Sequence, residues 1–187
     1  MADYRQLLTR EEPALLVADP PVELELEADR HGQERVPYWP ALAIISVVGA
    51  ALRLWDLDGI SIWGDEVYEA REAMNLYRVN LVASFEGLIG HLATLLALVA
   101  TGVDPATVQP TDFGAFREAG ITPWALRLAP AIIGSATVPV AGAMSRRLLG
   151  QRQSLVLAGL LAIAPWHLYW SQGARFYAIQ FFFYVIA

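Results

Sequence analysis

Beyond residue 36 the chain alternates long apolar runs with short polar clusters, and the run lengths set the first expectations. Residues 38–57 are almost wholly apolar, with Tyr38, Trp39 and Trp55 near the two ends. About 20 apolar residues cross roughly 30 Å of hydrocarbon, and aromatic rings favour the headgroup level, so this run predicts a first membrane span. Arg53 falls within a turn of its far end, from where the guanidinium is expected to snorkel toward water. Residues 88–101 are apolar but shorter, a length that favours an interfacial or re-entrant helix over a crossing. Residues 123–144 make the next full-length run, interrupted only by Arg127 near its start. Residues 154–169 and 176–187 follow, separated by the polar island Ser171-Gln172-Gly173-Ala174-Arg175. The pattern predicts an all-α, polytopic transmembrane protein with about four membrane segments. Its last run is cut at Ala187, which predicts the N-terminal portion of a longer chain.

The polar stretches divide the chain further. Residues 1–37 read as an acidic, disordered cytosolic tail: nine acidic side chains against four arginines, and a Pro20-Pro21 pair. Its first apolar stretch follows acids instead of basic residues, unlike a signal peptide. Residues 38–187 then form the membrane domain, with a first outer loop at about 56–122 that carries Pro105, Pro110, Gly114 and Gly120. Arg146, Arg147 and Arg152 crowd a tight turn between two apolar runs, where the positive-inside rule places the cytoplasm. If the 88–101 run does not cross, the polar stretch after residue 56 and the 171–175 island share the outer face of the cell membrane, and the N-terminus is cytoplasmic.

Composition supports this reading: 56% of residues are hydrophobic and 17% charged, against roughly 45–50% and 25% in globular domains. The pI near 5.0 supplies no basic stripe for phosphates of a nucleic acid. No cysteine is present, which removes disulfides and thiolate chemistry. Dinucleotide-binding glycine patterns, phosphate-binding loops and Ser-His-Asp arrangements are also absent.

Two clusters could carry chemistry. Trp63-Gly64-Asp65-Glu66 opens the outer loop, followed by Tyr68, Glu69, Arg71 and Glu72. A carboxylate pair there is a candidate general base or cation site. Equally, Glu66, Glu69 and Glu72 at intervals of three could form one solvated helix face near Arg71. Adjacent residues on a helix point apart, so one of the pair, Asp65, is favoured to face a reacting group. Arg175, with Tyr177 beyond it, sits at a membrane boundary; an arginine there calls for a partner, and phosphate fits its fork. An interfacial anchor beside Trp170 is the alternative. Gln172 either hydrogen-bonds a sugar or caps a helix, the cap being favoured, and His91 and His167 read as packed histidines with no metal-ligand spacing.

The order and spacing of several blocks then resemble a known family. Arg53-Leu54, Trp63-Gly64-Asp65-Glu66, Trp124-Ala125-Leu126-Arg127-Leu128-Ala129-Pro130, Arg146-Arg147-Leu148-Leu149-Gly150 and the stretch from Ala164-Pro165-Trp166 to Arg175-Phe176-Tyr177-Ala178 look like the start of a GT-C glycosyltransferase of the protein mannosyltransferase and aminoarabinose transferase type. The likeness runs from about residue 50 to Ala187. It implies transfer of a sugar from a polyprenyl-phosphate donor to a glycan, lipid or protein acceptor outside the membrane. It further implies Asp65 as catalytic aspartate with Glu66 completing the motif, and Arg175, Tyr177 and Gln172 as substrate-binding residues. The family commonly has an acid at the position of Gly173, and a His- or Lys-Pro-Pro element where this chain has Gly90-His91-Leu92.

The residues fit that chemistry in their own right. One carboxylate can deprotonate the acceptor, and a phosphate leaving group needs positive charge instead of a general acid. One-step displacement inverts the anomeric carbon. The sequence identifies no cofactor with certainty, and the carboxylate pair leaves a divalent cation as a candidate. A transporter subunit and a non-catalytic or truncated membrane scaffold are the alternatives from other classes, and this portion acting alone is expected to be inactive.

Overall fold

The computed structural model describes residues 37–78, 87–108, 116 and 118–187. The acidic tail, Pro110 and Gly114 lie outside the described residues. Among those described there are seven helices and no strand: α1 (Tyr38–Leu54), α2 (Gly64–Tyr77), α3 (Leu88–Ala100), α4 (Pro123–Leu149), α5 (Gln151–Ile163), α6 (Pro165–Ser171) and α7 (Tyr177–Ile186). The all-α expectation holds. One helix, α4, is long and apolar enough to cross a membrane, and α5 with α6 passes the same test as a pair bent by 56°. The remaining apolar helices, α1, α3 and α7, have 17, 13 and 10 residues. About four segments were expected; the full-length helices number one, or two with the bent pair.

Helix α4 organises the chain. Thr122 caps it by accepting from the Ala125 N–H at 3.2 Å, and Pro123 fits the first turn, where no N–H is needed. Arg146 and Arg147 end it, facing the negative pole of the helix dipole. Gly150 stops it at φ 81°, a left-handed conformation open to glycine, and at once begins α5. Pro130 and Pro139 lie inside α4, and the Ser135 and Thr137 hydroxyls return to the Ala131 and Ile133 carbonyls at 2.6 and 2.9 Å.

Helices α1 and α5 pack on α4 through small residues. A Cβ on Gly142 would lie 2.6 Å from Leu42 Cδ1 and 3.2 Å from Ala158 Cβ, so a side chain here would push both neighbours outward. Tyr38, Leu42, Val138, Ala158 and Ala162 form the core here. A second core lies toward the start of α4, where Ala70, Met74, Leu98, Ile121, Leu126 and Ala174 meet. Beside these apolar cores several charged side chains are also interior, and large aliphatics lie outside. Arg53, Glu66, Glu69, His91, Arg127 and His167 are buried, while Ile44, Val47, Val156, Leu160 and Ile163 stand exposed.

Two sequence expectations change. The first run stops being helical at Leu54, and Asp56 adopts φ 53°, so Asp56 and Leu57 belong to a turn instead of a span. Arg53 does not snorkel: it is fully buried, and donates to Gly49 O, Ala162 O, Leu161 O and His167 Nδ1 at 2.8, 3.0, 2.9 and 2.7 Å. The cause is Pro165. Without an N–H it cannot serve the Leu161 carbonyl, and the bend between α5 and α6 opens the ladder that Arg53 then fills.

Candidate active site

The loop after α1 and the start of α2 place Asp65 and Glu66 on opposite sides of one helix. Both lie in its first turn, where a carboxylate complements the helix dipole. Glu66 is completely buried and Asp65 exposed. The expected divergence of the pair is observed.

Glu66 belongs to a closed network. Arg127 Nε donates to Glu66 Oε1 and Nη2 to Oε2, each at 2.7 Å. The same guanidinium donates to Leu57 O, Ile60 O and Ser61 O at 2.7, 2.8 and 3.3 Å. All five N–H donors of an arginine are thereby used. Glu66 also accepts the Ala174 N–H at 2.9 Å and the Trp63 N–H at 3.4 Å. One buried ion pair thus ties the 57–61 turn, the start of α2, the start of α4 and the 171–175 island together. Sequence reasoning passed over Arg127 as an exception in an apolar run. The signal was present: a charge in such a run is costly and implies a partner.

Asp65 is open. Its nearest charge is Arg175, with Nη1 3.6 Å from Asp65 Oδ2, an ion pair too long for a hydrogen bond. The two predicted residues, 110 positions apart (175 − 65), therefore meet. Arg175 Nε is buried without a hydrogen-bond partner, so the guanidinium keeps donor capacity. Its carbon lies 5.5 Å from the centre of the Tyr177 ring, which packs edge-on against Trp170 at 4.3 Å. Tyr177 thus packs beside the Arg175 guanidinium.

Gln172 takes the favoured of its two expected roles, a helix cap. It ends α6, and its Nε2 donates to Leu52 O and Trp55 O at 2.9 and 3.1 Å, closing the end of α1. The solvated face predicted from Glu66, Glu69 and Glu72 is also corrected: all three are buried. Spacing marks a face without saying what covers it. Glu69 meets His91 Nδ1 at 2.8 Å and Glu72 accepts from Asn75 at 3.4 Å. The exposed row is Asp65, Tyr68 and Arg71, one position earlier. His91 and His167 are packed, as expected. Among the described residues no three acidic, histidine or cysteine side chains converge on a possible metal position. With Glu66 filled, any cation at the pair would have Asp65 as its available carboxylate.

Comparison with known protein families, curated proteins and solved structures yields no match for this chain.

Proposed function

We propose that this chain carries the donor end of a membrane glycosyltransferase, one that moves a sugar from a polyprenyl-phosphate carrier to an acceptor at the outer face, with inversion. The observation that carries the reading is the Asp65–Arg175 pair at 3.6 Å. A base and a phosphate-binding cation must lie within one sugar ring of each other for direct displacement. Asp65 takes the proton from the acceptor nucleophile, whose lone pair forms the new bond to the anomeric carbon. The bond from that carbon to the phosphate oxygen breaks, and its electrons leave with the phosphate. Arg175, whose Nε is unpartnered, stabilises the departing charge. Glu66, tied to Arg127, anchors the first turn of α2 from which Asp65 projects.

The membrane setting draws support from the exposed aliphatics: a surface of large apolar side chains, with Arg53 and Arg127 satisfied inside, suits hydrocarbon as solvent. In that setting α1, α4, the bent α5–α6 pair and α7 supply about four segments, α3 stays interfacial, and the arginine turn at Gly150 is cytoplasmic. The lipid carrier explains why such a site lies at a membrane face.

A transfer assay in membranes, comparing the wild-type protein with Asp65→Asn, tests the proposal. The variant should lose transfer; undiminished transfer removes Asp65 as base and the mechanism with it.

A further inference from the structure

Between the turn after α1 and the end of α6 lies a cavity of about 210 Å³, with Trp63, Tyr169 and Trp170 among its walls. Asp56, Gln172 and Gly173 also line it, and Glu66 and Arg127 border it. Pockets for drug-sized ligands run from about 300 to 1,000 Å³, so this one suits a single ring.

The polar atoms left unused in it are acceptors and neutral donors, the latter being the indole N–H groups of Trp63 and Trp170 and the Tyr169 hydroxyl. Arg127 has spent its five donors on Glu66 and three backbone carbonyls. Both hydrogens of the Gln172 amide are directed at Leu52 O and Trp55 O, leaving Oε1 as an acceptor. The carboxylate of Asp56 has no hydrogen bond among the described residues, and its backbone is held at φ 53°. Gly59 closes the turn by donating to Asp56 O at 3.0 Å, and a Cβ there would collide with the Asp56 carboxylate. The cavity therefore offers acceptors, neutral donors and aromatic faces but no free cationic donor. Negative ring faces attract the C–H edge of a saturated ring, and unpaired acceptors take hydroxyl hydrogens. An anion would meet the Asp56 carboxylate with no free cationic side chain in the lining to offset the repulsion.

We propose that this cavity is a subsite for one uncharged pyranose ring, stacked on Trp63, Tyr169 and Trp170 and hydrogen-bonded through its hydroxyls to Asp56. The inference rests on the transfer reading for its role beside Asp65. It divides the work: the cavity takes the ring and rejects the anion, while Arg175 takes the phosphate. The glycine at position 173 gains a reason. A Cβ there would meet only Tyr169 O at 3.7 Å, so nothing crowds a side chain out of the fold. A large one would fill the cavity.

The test uses the full chain in detergent micelles and saturation-transfer NMR, with the methyl glycosides of glucose, mannose and galactose as probes and methyl glucuronide as the anionic control. At least one neutral glycoside should receive saturation on its ring protons, and the glucuronide at least about tenfold less. Gly173→Leu should lower the signal about tenfold, as should Trp63→Ala; the glycine variant answers if the tryptophan variant fails to fold. Absence of transfer to every neutral probe, an equal glucuronide signal, or an unchanged signal in Gly173→Leu overturns the subsite. In the enzymatic assay Gly173→Leu should raise KM for the donor if the ring is the carrier's sugar, or for the acceptor if it is a glycan's; no change in either also overturns it. The two proposals fail separately. Loss of activity in Asp65→Asn with no glycoside binding leaves transfer standing and removes the subsite. Full activity in Asp65→Asn with glycoside binding blocked by Gly173→Leu does the reverse.

Discussion

Asp65 and Glu66 are neighbours in sequence but belong to two regions of opposite character. The Glu66 region is closed: a bidentate arginine, two backbone N–H groups and full burial leave its carboxylate no lone pair to offer. The Asp65 region is open: half of the side chain is exposed, and its one ionic partner stands 3.6 Å away with a donor to spare. A closed network fixes geometry, whereas an open pair can exchange protons and bind ions. The contrast assigns scaffold to one carboxylate and chemistry to the other, although their side chains differ by a single methylene.

The closed region should break hardest. Arg127→Ala strands a buried carboxylate and frees three carbonyls, and breaking a buried pair from one side costs about 3–5 kcal/mol. Thermal unfolding in detergent should show the largest loss of any variant considered, with transfer lost alongside. A stable Arg127→Ala protein would mean that Glu66 is free to react, and the comparison would collapse.

The open region should break differently. Asp65→Asn is expected to remove about 10²–10⁴-fold of activity, the range for a positioned general base. Stability should change by about 1 kcal/mol or less, since exposed pairs contribute little. Equal damage to activity and stability would place Asp65 with the scaffold after all.

Much of this division could be read in the chain, and the reason some could not is physical. Apolar run lengths predict the helices because burial, in lipid or in a core, follows that periodicity; α4 and the divergence of Asp65 from Glu66 need nothing more. Partners distant in sequence are another matter. Arg127 lies 61 residues from Glu66 and His91 lies 22 from Glu69, and neither separation leaves a mark in local spacing. Arg53 failed for a related reason: its fate depends on carbonyls released by Pro165, on another helix. What could have been read was the number of charges in apolar runs, because Arg53, Arg127 and Arg175 each demand a counterpart. Treating all three alike would have predicted two structural pairings beside the candidate site.

Arg175→Lys sharpens the role of the open pair. Charge is retained but the planar fork is lost. If Arg175 grips a phosphate with two parallel hydrogen bonds, kcat/KM for the lipid-linked donor should fall about tenfold, the effect of roughly 1.4 kcal/mol. Thermal stability should stay near that of the wild type, because the wild-type ion pair is loose. A lysine variant as active as the wild type would reduce Arg175 to a point charge.

The smallest effect belongs to Gln172, which sits beside the open pair yet serves the scaffold. Its amide holds Leu52 O and Trp55 O, carbonyls that the end of α1 leaves without helical donors. Gln172→Ala returns those carbonyls to water or to neighbouring donors, and the loss should be about 0.5–1 kcal/mol, or about 1–4 °C in Tm. Gln172→Glu is the sharper variant. It keeps the size of the side chain but replaces two donors with a carboxylate facing two carbonyls, so the destabilisation should exceed that of alanine. If Gln172 instead contacted the sugar through Nε2, alanine would impair KM while leaving Tm unchanged. A shift in Tm without a shift in KM places Gln172 with Glu66 and Arg127, and moves the boundary between scaffold and chemistry to Gly173.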